Sequence, residues 1–176
     1  LATPDDFDHS IETGVDTTTL ELISKTISNE PDNVTIFSKM KRLLKQRHNL
    51  SNEKTMDWGM AELLALGSLL LENHHIRLSG QDSQRGTFSH RHAVIKDESN
   101  ESHYIPLNHL ADNQAEIIIS NTLLSEYAAL GFEYGYSLAQ PDSLVIWEAQ
   151  FGDFANGAQI IIDQFISSAE YKWQRM

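Results

Sequence analysis

LVIWEAQFGDF, residues 144–154, reads as a buried strand that breaks at a Glu-Ala-Gln-Phe-Gly turn. The segment that follows, ANGAQIIIDQFISSAEYKW, has the apolar spacing of an amphipathic helix, expected over residues 154–172. A strand, a tight turn and a helix in that order mark the carboxyl edge of an open α/β sheet, where such sheets bind ligands. The turn therefore points to a cofactor site.

Working outward, Asp57 is placed to cap a helix reaching about residue 72, and residues 75–79 make a short strand that stops at Gly80. A second strand is expected over 116–120, a helix over 125–138 and a third strand over 143–148. Helices alternating with strands imply βαβ units, hence a parallel sheet flanked by helices. The connection from Gly80 to about Asn113 is polar, rich in Ser, His and Asn, and long; such connections are usually functional. Before residue 55 the chain is polar, with two short helix candidates at 17–28, capped by Asp16, and 38–48. Residues 1–54 read as a helical entry arm that docks on the body formed by residues 55–176.

The 176 residues are enough for one domain with a sizeable core, and 40% hydrophobic with 22% charged residues is an ordinary globular balance. With no cysteine, disulfides, thiolate nucleophiles and Cys-based zinc sites are excluded. No apolar run reaches bilayer length, so no membrane partnership is expected. A net charge of −12 argues against nucleic acid. The one cationic run, residues 39–47, reads either as a solvated helix face or as a binding face. Leu1 in place of Met suggests a piece of something longer.

Glu126 follows Ser125 at the start of a helix, just past a strand end. One reading has Ser125 capping the helix and Glu126 complementing its positive end. The other has a partly buried carboxyl that hydrogen-bonds a cofactor nitrogen. Gln150 and Phe151 offer the same choice, turn and core residues or ligand contacts. Parallel strands set successive strand ends side by side, which brings the turn at 150 next to Glu126. A carboxyl, an amide and an aromatic face around one crevice suit a flat heteroaromatic ligand. His90 and His92 flank Arg91; on a strand, His-x-His points both rings to one face, a possible metal pair. No third ligand stands at a convincing spacing, so no metal site is assigned. Gly80-Gln-Asp-Ser-Gln-Arg-Gly86 lacks the patterns of phosphate and dinucleotide loops.

HIRLSGQDSQRGTFSHRHAV (75–94), YIPLNHL (104–110), LLSEYAALGFEYGYSLAQP (123–141) and residues 144–176 together resemble the decarboxylating first components of 2-oxoglutarate dehydrogenase complexes. The resemblance runs from about Gly14 to the last residue and is weakest before Asp57. It implies a transketolase-type, pyrimidine-binding thiamine-diphosphate fold, truncated at its C-terminal side. It also implies that diphosphate and magnesium are bound by a separate upstream domain through a Gly-Asp-Gly motif, which this sequence does not contain.

By resemblance, Glu126 matches the glutamate that bonds a pyrimidine ring nitrogen and promotes proton loss from the thiazolium carbon. Gln150 and Phe151 match cofactor contacts, the amide near the aminopyrimidine and the ring against its face. Asp82, Arg85, His90 and His92 match a loop whose cationic and imidazole groups suit a dianionic oxoacid. The implied reaction is oxidative decarboxylation of 2-oxoglutarate in the citric acid cycle, with the succinyl group passed to a lipoyl-bearing succinyltransferase. A homodimer in the bacterial cytoplasm or mitochondrial matrix is implied too, with Gly131 and Gly135 as a small-residue stripe for close approach. The 2-oxoadipate enzyme resembles these segments nearly as well, and a non-catalytic interaction module on the same fold is the alternative of another class.

Overall fold

A computed structural model of the chain describes residues 3, 5, 8, 10–53, 55–152 and 154–175. The expected boundary at Lys54 lies outside the described residues.

Helix α1 (Thr17–Ser28) begins where the Asp16 carboxylate accepts a hydrogen bond from the Thr19 N–H at 2.9 Å. Its apolar face is spent on the main core: Ile23 and Ile27 are buried against side chains of α3 (Trp58–Leu71) and the sheet. Helix α2 (Ser38–Asn52) runs four residues past its expected end and packs on α1, with the Ser24 hydroxyl donating to that of Ser51 at 2.7 Å. Helix α3 starts at Asp57, which accepts from the Met60 N–H at 2.8 Å. It is buried on most of its circumference, as its run of leucines and small residues requires.

Strands β1 (Ile76–Gly80), β4 (Ile117–Asn121) and β5 (Leu144–Glu148) form one parallel sheet in the order β4-β1-β5. The register aligns Gly80 with Asn121 on one side and with Glu148 on the other. Three strands thus end at one level, and everything that follows them collects at one edge. β4 and β5 are not neighbours, as the order of the chain suggests; β1, inserted between them, is buried at four of its five positions. Helix α4 (Glu126–Ala139) connects β4 to β5 and packs against β5 and β1, a right-handed crossover being the rule for such units.

The long connection after β1 is more ordered than its composition suggests. It contains an antiparallel pair, β2 (Ile95–Lys96) with β3 (His103–Tyr104), and a 3-10 turn at Pro106–His109 that sends Leu107 into the core. Ile95 joins Ile36, just before α2, and Leu44 of α2 in a second, smaller cluster.

The expected single helix over 154–172 is broken into a 3-10 turn (Ala155–Ala158), one α-helical turn (Gln159–Ile161) and two wider π-helical turns (Ile162–Ile166 and Ala169–Trp173). The cause is local competition for carbonyls. The Ser167 hydroxyl donates to the Ile162 carbonyl at 3.0 Å, the Ser168 hydroxyl to that of Asp163 at 2.8 Å and the Trp173 indole to that of Gln164 at 2.7 Å. Serine hydroxyls that bond backward in this way widen or bend a helix.

Candidate functional site

Glu126 is the first residue of α4, and its half-buried carboxyl accepts from the Gln81 amide at 3.2 Å. Ser125 has the extended backbone of a helix cap, but its hydroxyl makes no capping bond. Glu126 therefore does not simply complete a capping motif. It lines a crevice with Gln81, Thr122, Leu124, Ala129, Trp147, Glu148 and Gln150. The expected meeting of Glu126 with the turn at 150 holds, although β1 separates their strands. Crossing of the sheet by α4 brings the two together.

The crevice is narrow, about 10 Å³. Beside it opens a cavity of about 480 Å³ whose walls include Trp58, Glu62, Thr87, Phe88, His90, Arg91, Phe151 and Glu148. Glu148, the last residue of β5, borders both spaces. Gln150 faces the crevice, and its amide oxygen accepts from the Thr87 hydroxyl at 2.8 Å. Phe151 faces the cavity: it is 54% exposed, not core, and its ring meets that of Phe88 edge-on at 6.0 Å. The backbone of Phe151 sits in the left-handed region at φ 57°, followed by Gly152 at φ 80°. This sharp turn is what throws the two side chains into different spaces.

Arg85, His90 and His92 do not converge. Arg85 is bound within its own loop: its Nε donates to Asp82 at 3.0 Å and its Nη1 to the Ser89 hydroxyl at 2.6 Å, and the bond to Asp82 raises its affinity for its proton. His90 reaches the cavity because its ring lies over Gly86, where a Cβ would stand 2.4 Å from the imidazole Cε1. Gly86 also has φ 80°, a conformation that favours glycine. The His90 Nδ1 is buried without a hydrogen-bond partner among the described residues, and its Nε2 lies 3.8 Å from Glu62.

His92 turns the other way. Residues 89 to 92 lie outside any strand, with φ 54° at Ser89 and 39° at His92, so the strand geometry that would align two histidines is missing. His92 instead lines a separate cavity of about 560 Å³ against α2, with Phe37, Lys39, Arg42 and Lys96 among its walls. Burial lowers the His92 pKa, and the positive charges of Arg47, Lys39 and Arg85 lower it further. Part of the cationic run at 39–47 is thus a cavity wall; Arg47 itself is buried. Its guanidinium donates to the Arg91 carbonyl, and desolvation brings its pKa down to about 10.

The residue that sequence reading passed over is Arg91, 3% exposed between the two histidines. Its guanidinium is shared by Glu62 of α3 and Glu148 of β5, with contacts at 3.2 Å to each and shorter ones beside them, and Nη1 also donates to the Ser83 carbonyl at 2.8 Å. Burial works against its charge, but the hydrogen bonds it donates to the two carboxylates outweigh that and hold its pKa above the ordinary arginine value. The one available signal was Glu62, a lone carboxylate in the apolar run MAELLALGSLLL. Among the described residues, no group of three or more His, Cys, Asp or Glu gathers as a metal site, and no helix is long and apolar enough to cross a membrane.

The chain is 55% identical over 165 residues to the mitochondrial 2-oxoglutarate dehydrogenase of Schizosaccharomyces pombe, an alignment covering 93% of this chain and 16% of that protein. It is 54% identical over 169 residues to the mitochondrial 2-oxoglutarate dehydrogenase of Dictyostelium discoideum, covering 93% and 17%. It is 53% identical over 165 residues to the 2-oxoglutarate dehydrogenase E1 component of Rickettsia typhi, covering 93% and 18%. The chain spans less than a fifth of the length of these curated relatives. Residues 54–176 match the family described as transketolase, pyrimidine binding domain. That match takes in the whole parallel sheet, Glu126 at its edge and the turn at 149–152, and the chain belongs to this family.

Proposed function

We propose that this chain supplies the pyrimidine-binding half of a thiamine-diphosphate site in a 2-oxoglutarate dehydrogenase. On this reading the whole protein decarboxylates 2-oxoglutarate oxidatively and passes the succinyl group to a lipoyl-bearing succinyltransferase. One observation carries it: a half-buried carboxyl, Glu126, stands where three parallel strands end, in one crevice with the Gln81 and Gln150 amides.

These residues fit an aminopyrimidine. The carboxyl is suited to a ring nitrogen, the amides to the groups flanking it, and Phe151 to a flat face; room for a ring lies in the cavity next to the crevice, past Glu148. When bound, thiamine diphosphate supplies an electron sink for the carbon–carbon cleavage. Glu126 holds or shares a proton at the ring nitrogen, and Gln81 orients its carboxyl. Of the loop residues, His90 is assigned to the oxoacid, a role supported by its position on the cavity wall, while Arg85 shapes the loop and His92 faces α2.

Magnesium accompanies the diphosphate on another domain of the whole protein, which acts as a homodimer. The relatives' names, mitochondrial and bacterial, support a matrix or bacterial cytoplasmic setting and favour 2-oxoglutarate over 2-oxoadipate. Residues 1–54 serve as the entry arm to the domain at 55–176, a division supported by the family match beginning at residue 54.

The test is turnover of 2-oxoglutarate and of 2-oxoadipate by the full-length protein carrying this chain, with thiamine diphosphate and magnesium. Glu126→Ala is expected to cut turnover by roughly 10²–10⁴-fold, the range of a lost general acid–base group. Unchanged turnover removes Glu126 from the mechanism. A wild-type protein that neither binds the cofactor nor turns over either acid points instead to a non-catalytic interaction module.

A further inference from the structure

The turn that carries Gln150 and Phe151 has little of its own to hold it. Its internal bond runs from the Gly152 N–H to the Ala149 carbonyl at 3.1 Å, and two successive residues have positive φ. Beyond the bond that the Gly152 carbonyl accepts from the Ala155 N–H at 3.2 Å, its ties among the described residues lead to the loop before Arg91: Gln150 to Thr87 by a hydrogen bond, Phe151 to Phe88 by ring contact. Where the turn begins, the Glu148 carboxylate is bound by Arg91. The supports at Thr87, Phe88 and Arg91 therefore belong to one segment, and a buried guanidinium ties that segment to α3 and β5.

Arg91 gathers four elements. Its side chain bonds Glu62 of α3, Glu148 of β5 and the Ser83 carbonyl after β1, and its own carbonyl accepts from Arg47 of α2. A planar guanidinium with donors in a fixed fork can serve two carboxylates and a carbonyl at once; an ammonium cannot reproduce that geometry.

We propose that Arg91 is a positioning residue for the cofactor site: by fixing Glu148 and the 87–91 loop together, it sets the turn 149–152 that presents Gln150 to the Glu126 crevice and Phe151 to the cavity. The part that concerns the cofactor rests on the function proposed above; the part that concerns the turn does not.

A merely structural role is separable from a positioning one. Removing one member of a buried ion cluster strands the others, whereas neutralising all of them together often restores stability. Three variants of the full-length protein carrying this chain are compared with wild type: R91M, R91K and E62Q/R91M/E148Q. The readouts are melting temperature, hydrogen exchange of the amides at 149–152, and thiamine diphosphate titration by tryptophan fluorescence.

R91M is expected to melt well below wild type and the triple variant close to it. The triple variant is nonetheless expected to exchange the turn amides, and to lose cofactor affinity, by about tenfold or more, as a displaced site does. R91K, which keeps the charge without the fork, is expected to show the same two changes in smaller measure. Wild-type exchange and wild-type affinity in a folded triple variant overturn the proposal. If neither methionine variant folds, R91K decides, and unaltered turn exchange there overturns it as well. Should wild type bind no thiamine diphosphate, the functional reading fails, while exchange at 149–152 still decides the role of Arg91.

Discussion

Gly157 stands against Glu126: a Cβ at position 157 would lie 3.2 Å from the Glu126 Oε2 and 3.3 Å from its Cβ. The 3-10 turn at Ala155–Ala158 is therefore a wall of the carboxyl's surroundings, and the Gln81 amide is another. Contacts this short oblige the carboxyl to give way by a few tenths of an ångström if a methyl is added. Gly157→Ala is expected to leave the melting temperature almost unchanged, since the site is at the surface, while weakening thiamine diphosphate binding to the full-length protein. Isothermal titration of the cofactor checks it; unaltered binding means that the carboxyl does not have to sit where it does.

The N-terminal helix belongs to the main core energetically. Ile23 is fully buried against α3, and its Cγ2 would lie 2.6 Å from a Cβ added at Gly67. Ile23→Ala is expected to cost about 2–5 kcal/mol through lost burial and the cavity left behind. Urea unfolding gives the value, and a loss below 1 kcal/mol would mean that the main core tolerates the helix's absence.

Acid should destabilise the protein through His92. Its folded pKa lies below the ordinary 6.5, first because of burial and then because Arg47, Lys39 and Arg85 are near. The unfolded chain then binds a proton that the folded chain refuses, so the contribution of His92 is complete above pH 6.5 and is lost as the pH falls from there through the lowered folded value. His92→Gln is expected to flatten the fall in melting temperature between neutral pH and about pH 5, the range in which such a histidine titrates. An identical slope in the variant rules His92 out as its source.

The wide helical turns at the C-terminal end are expected to respond to the two serines that bond backward. Replacing Ser167 and Ser168 with alanine removes the hydroxyls that compete for the Ile162 and Asp163 carbonyls and installs the best helix former. Stronger helical circular dichroism is the expected result. An unchanged spectrum would place the cause in the packing of Phe165 on Trp173, whose rings stack at 5.5 Å.

Much of the architecture was legible because local rules and the tertiary fold agree. Asp16 and Asp57 cap the helices they were expected to cap, and the segments of five or six residues expected as strands became the three parallel strands within a residue of their expected limits. Glu126 and Gln150 were brought to one crevice, although by a route the chain order did not suggest. The different directions of His90 and His92 were not legible, because they follow from the positive φ of Ser89 and His92 inside a long loop. Such angles are imposed by long-range contacts and leave no periodic trace.

From its amino acids alone the chain determined where its strands, caps and turn would fall, since these depend on neighbours within a few residues. It determined its family as well, since that depends on residue identities. Only the tertiary structure decided that β1 lies between β4 and β5, that His90 and His92 face different cavities, and that Arg91 joins Glu62 to Glu148. Those outcomes turn on which distant groups share a buried space, and the energy of a buried charge depends on partners dozens of residues away.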